Sequence, residues 1–152
     1  MEDFTMSGSS LIIGTSYYAI AYRFRNTVGI TPYVPSGSQF PKERTLPWLA
    51  PPFKLIKLYN EGKLQRDALR EAYLKVLGDE SFNLNGVIGE IIDRFSVMPV
   101  LLGYHKDPQK CYRSILAEAI NDLTDYTAVE VAEQHELLMV DFEKLMEEMP
   151  LP

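Results

Sequence analysis

The chain has 152 residues, 46% hydrophobic and 11% aromatic, enough for one domain with a true core. Its net charge of -6 argues against general nucleic-acid binding, and its single cysteine excludes an internal disulfide or a multi-cysteine metal site. No window approaches the about 18 to 20 apolar residues of a membrane span, and the acidic N-terminal stretch MEDFTMSGSSLIIG lacks a signal layout, so a cytoplasmic chain with no membrane partner is expected.

The charge is unevenly spread. Residues 1–113 carry 14 Lys/Arg against 11 Asp/Glu, a net of +3, whereas residues 114–152 carry Lys144 against ten acids, a net of -9. A mildly cationic body suits an anionic ligand, although the acidic arm reads more simply as a solvated helix.

In chain order, the apolar run Leu11-Ile12-Ile13 ending at Gly14 predicts a short buried strand over about 10–14. Residues 26–52 hold prolines at 32, 35, 41, 47, 51 and 52, a density that removes amide donors and predicts a long irregular segment. Tyr33, Phe40, Leu46, Trp48 and Leu49 within it predict an ordered cover packed on the body. Helical periodicity then predicts helices over about 52–60, with Phe53, Ile56, Lys57 and Asn60 on shared spacing, over 65–77, ended by Gly78, and over 84–95. Val97 to Leu102 predicts a buried strand starting at or after Pro99. Asp107 before Pro108 is helix-start chemistry, predicting an N-cap and a helix over about 108–121. A last amphipathic helix is expected over about 127–148.

This order predicts a compact α/β domain over 1–124, with a small, mostly parallel sheet flanked by helices and covered by the Pro-rich segment. Residues 125–152 are expected to add an acidic helix packed on the domain or on a partner.

Ligands of open α/β sheets sit at the carboxyl ends of strands. The first strand is expected to end at Thr15-Ser16-Tyr17, whose hydroxyls suit phosphate, ribose or carbonyl oxygens. The second ends at Tyr104-His105-Lys106, where imidazole and ammonium suit an anion or a proton transfer. If the two strands are adjacent and parallel, these loops face each other. Arg113 completes a candidate anion set, and Tyr17 or Trp48 could stack on a ring. Cys111 reads two ways. Placed one turn inside the predicted helix, beside Lys110 and Arg113, it is a candidate nucleophile with His105 as base; the more ordinary reading is a small apolar residue packing helix on sheet, as free cysteines commonly do. No GxGxxG, P-loop, HxxxH or HExxH spacing occurs, so no cofactor or metal is expected.

The stretch LLGYHKDPQKCYRSILAEAI, together with TSYYA, LPWLAPPFKLIKLYNEGKL and LREAYLKVL in that order, resembles the YeaO-like family of bacterial and phage proteins, domain of unknown function four-eight-eight, over about residues 11–123. The resemblance implies a compact α/β fold and a pocket lined by the TSY segment, the LAP segment Leu49-Ala50-Pro51 and the Cys-x-Arg helix start; it supplies no reaction. Gly103, His105 and Tyr112 depart from it, standing where the family usually has cysteine, glutamate and histidine. The function expected from all of this is a pocket for a small anionic or nucleotide-like ligand, binding or in degenerate form catalytic. The alternative is an interaction module that self-associates or docks through the last helix.

Overall fold

The computed structural model describes residues 12–33 and 40–131. Four strands, β1 (Ile12–Tyr17), β2 (Thr27–Gly29), β3 (Val100–Gly103) and β4 (Thr127–Glu130), form one all-parallel sheet in the order β2-β3-β1-β4. Helices α1 (Phe53–Asn60), α2 (Arg66–Leu77) and α3 (Leu84–Phe95) lie between β2 and β3 in the chain, and α4 (Arg113–Leu123) carries it from β3 to β4. The fold is thus the expected α/β class with a small parallel sheet, and β1 and β3 are neighbours, with Tyr17 opposite Gly103.

Alternation along the strands decides what faces what. Ile13, Val28, Ile30, Leu101 and Ala128 share one core cluster with Ile56, Leu69, Tyr73, Ile88, Ile91, Ile115, Leu116 and Ile120 of the helices, so all four helices pack on that face. The i, i+4, i+8 stripe Leu69, Tyr73, Leu77 buries α2, each apolar side chain contributing about 1.5–3 kcal/mol by leaving water. Gly14, Ser16, Val100 and Leu102 point the opposite way. There Tyr18 lies across the sheet so closely that a Cβ at Gly29 would stand 2.2 Å from its hydroxyl, and Phe40 packs edge-on against the Tyr18 ring at 5.2 Å.

The three helices after the Pro-rich segment fall within one residue of their predicted limits. Asn83 begins α3 in the left-handed region (φ 53°), and its side-chain oxygen accepts from the Gly86 amide at 3.2 Å. A Cβ at Gly86 would meet that Asn83 amide group at 2.4 Å, which accounts for a glycine inside an otherwise well-patterned helix.

Four expectations are corrected. β1 runs on to Tyr17, so Thr15 and Ser16 are inside the sheet rather than at its tip. The segment 26–52 is not irregular throughout, because Thr27–Gly29 pairs with β3 to make an edge strand. Its described remainder is ordered, as expected of a cover: Leu46 and Leu49 are buried, and the Leu46 amide donates to the Gly29 carbonyl at 2.7 Å. Arg44 fastens it further, donating to the Thr27 carbonyl at 2.8 Å and to Asn26 Oδ1 at 2.7 Å.

The third correction concerns the helix start. Asp107 does cap, accepting from the Gln109 amide at 2.9 Å, but it caps only a three-residue 3-10 turn, Pro108–Lys110. The chain then extends at Cys111 (φ -125°, ψ 141°), and α4 begins at Arg113. Fourth, the predicted last helix begins as strand: Thr127–Glu130 is β4, alternating and beside β1, where β-branched Thr127 and Val129 sit well. Residues 132–148 of that expected helix lie outside the described residues. No helix among the described residues is long and apolar enough to cross a membrane.

Candidate functional site

The carboxyl edge of the sheet holds two different arrangements. Where β1, β3 and β4 end, the chain has filled the space with its own ion pair. Arg113, the first residue of α4, is fully buried. Its Nε donates to Glu130 Oε1 at 3.0 Å and its Nη2 to Glu130 Oε2 at 2.9 Å, the two-pronged geometry a guanidinium favours. Nη2 also donates to the Lys106 carbonyl at 2.9 Å, and Nη1 donates to the His105 carbonyl. Thr15 donates its hydroxyl to Glu130 Oε1 at 2.8 Å, and the guanidinium carbon lies 5.7 Å from the centre of the Tyr17 ring. Burial works against the Arg113 charge, but hydrogen bonding and attraction from Glu130, with the nearby Cys111 sulfur, hold its pKa above the ordinary value.

This corrects the candidate anion set. Thr15, Ser16 and Arg113 have no exposed surface and Tyr17 is buried, so none meets a solute in this conformation. Ser16 Oγ is buried without a hydrogen-bond partner among the described residues, on the sheet face away from the helices. Lys106 is exposed, but it does not line the cavity described below. Trp48 is also exposed and leans on Phe82, with ring centres 6.4 Å apart, outside that cavity.

The second arrangement is open. A cavity of about 300 Å³ lies at the carboxyl ends of β2 and β3. Thr31, Pro32 and Tyr33, just after β2, form one wall, and Tyr104 and His105, just after β3, form another. Helix α1 presents Phe53, Ile56, Tyr59 and Asn60, which the 3.6-residue period brings to one face. Lys110, Cys111 and Tyr112 close the remaining side.

The hydroxyls at the back are already used. Tyr112 donates to the Ile30 carbonyl at 2.6 Å and packs edge-on against Tyr73 at 5.9 Å. Thr31 Oγ1 lies 2.7 Å from the Tyr18 hydroxyl and donates to the Tyr33 carbonyl at 2.7 Å. Burial, reinforced by the neighbouring Tyr73 and Cys111, pushes the Tyr112 phenol far above its ordinary pKa, so it stays a neutral donor. The rim groups are different. Tyr59, Asn60, Tyr104, His105 and Lys110 show no side-chain hydrogen bond within the described residues, and Tyr104, His105 and Lys110 are exposed.

Of the residues singled out from the sequence, Tyr104, His105 and Cys111 come together here. Cys111 lies against the cavity with 1% of its surface exposed, in extended backbone before the helix, so the helix-field argument for an activated thiolate no longer applies. Its sulfur fits beside Gly103, where a Cβ would approach it to 2.4 Å. Sequence reasoning misses Thr31, Tyr33, Phe53, Tyr59, Lys110 and Tyr112 as wall residues. The shared spacing of Phe53, Ile56 and Asn60 is the available signal, and taken alone it indicates only helix packing.

Among the described residues no carboxylate lines the cavity. No cluster of three or more His, Cys, Asp or Glu side chains suited to a metal ion occurs among the described residues. No family model, curated protein or solved structure matches the chain.

Proposed function

We propose that the protein binds a small anionic ligand in the cavity at the carboxyl ends of β2 and β3. The observation that carries this reading is the charge of the wall: Lys110 and His105 contribute to it and, among the described residues, no Asp or Glu does. Lys57 supports it, since helical spacing sets it about 40° around α1 from Phe53, at the edge of the cavity-facing stripe. The volume is at the lower limit of the ~300–1,000 Å³ of small-molecule sites. That admits a ligand of mononucleotide size or less. The position agrees with the general rule for open α/β sheets.

Of the pocket segments that the resemblance to YeaO-like proteins implies, Cys111 lines this cavity, and the TSY segment, the LAP segment and Arg113 do not. The reading is one of binding, with Lys110 and His105 as the anion-facing groups and Tyr104 as a wall. A thermal-shift series with phosphorylated and carboxylated metabolites on the full chain tests it. At least one anion is expected to raise Tm, and the double variant His105→Ala/Lys110→Ala is expected to abolish that rise. An anion that stabilises both proteins equally would place binding elsewhere.

A further inference from the structure

The cavity also constrains what the anion is attached to. We infer that its ligand is a planar aromatic or heteroaromatic ring carrying one acidic group, with the ring held among Tyr33, Phe53 and Tyr104 and the acid at Lys110 and His105. This rests on the reading above and narrows it.

Three observations support it. Tyr33, Phe53 and Tyr104 are 57%, 51% and 49% exposed, large apolar surface left in water at the mouth of a concave site. Tyr33 and Phe53 already stand edge-to-face, with ring centres 6.0 Å apart at 65°, and a third ring can join such a pair without loss of packing. At the back of the cavity Tyr112 and Thr31 spend their hydroxyls on backbone and on Tyr18, so a ligand's inner end meets an apolar surface suited to a ring, and the free polar groups stand at the rim. The acid must be met by point charges. The neighbouring guanidinium groups are committed elsewhere, Arg113 to Glu130 and the loop carbonyls, Arg66 to the Gln109 carbonyl and the Ser114 hydroxyl. With an ammonium and an imidazole instead of a guanidinium fork, the site has no geometric preference for carboxylate over phosphate or sulfonate.

The test is calorimetric titration of the full chain with 2-naphthoate, 2-naphthamide, cyclohexanecarboxylate and inorganic phosphate. The expected order has 2-naphthoate about tenfold tighter than either cyclohexanecarboxylate or 2-naphthamide, with phosphate weaker still. Phe53→Ala, at an exposed position that leaves the core intact, should remove the preference for naphthoate over cyclohexanecarboxylate. Lys110→Ala should weaken naphthoate and leave naphthamide unchanged. Equal affinity for the cyclic aliphatic and aromatic acids would overturn the inference and leave the anion site standing; silence from every anion would overturn both.

Discussion

Arg113 has no surface in contact with water, and a charge so placed is tolerated only while its partners hold. Glu130, from the edge strand, neutralises it, and two loop carbonyls complete the shell. The same guanidinium therefore fixes the backbone that presents Tyr104 and His105 to the cavity. Glu130→Gln is expected to cost about 2–3 kcal/mol in urea unfolding, below the ~3–5 kcal/mol of a fully buried broken pair because Glu130 is 29% exposed. Arg113 also shows where residue type alone misleads. An arginine beside a cysteine at a strand's carboxyl end has the chemistry of an anion ligand, and only its distance to a carboxylate 17 positions later reveals that the anion is internal.

Among the elements, β4 depends most on one side chain. It is an edge strand, and Asn121 of α4 covers its outer side: Nδ2 donates to the Ala128 carbonyl at 3.2 Å, and Oδ1 accepts from the Ala128 amide at 2.8 Å. The amide thus imitates a neighbouring strand and blunts an open edge. Asn121→Ala is expected to lower stability by about 1–2 kcal/mol and to accelerate hydrogen exchange at Ala128 selectively. The three middle helices are legible in the sequence because their stripes, stops and caps are local. β2 is not, since three residues Thr27-Val28-Gly29 carry no period of their own and become a strand by pairing with β3, about seventy positions away. β4 misleads in the opposite sense: its four residues run into a stretch patterned like a helix, and pairing with β1 decides the matter.

For the molecule as a whole, the core contains two phenols that must remain neutral. Burial raises the pKa of both Tyr73 and Tyr112 above the ordinary value of 10.0. Above about pH 10 the unfolded chain releases these protons and the folded chain keeps them. Their stabilisation is therefore complete below that pH and is lost as pH rises, by about 1.4 kcal/mol per pH unit for each phenol. Urea unfolding should give a flat profile from pH 7 to 9 in this respect and a decline above pH 10, and Tyr73→Phe should remove one proton's share of the slope.

The sequence by itself determined the α/β class, the three middle helices and the Asp107 cap, because these follow from periodicity and near-neighbour chemistry. The tertiary structure alone decided which polar groups face solvent. Thr15, Ser16 and Tyr17 were drawn inside by a sheet that continues further than its apolar run and Arg113 by its pairing with Glu130, while Tyr33, Phe53 and Tyr59 met Tyr104 and His105 across β2 and β3. Strand pairing and burial are non-local, and no window along the chain contains them.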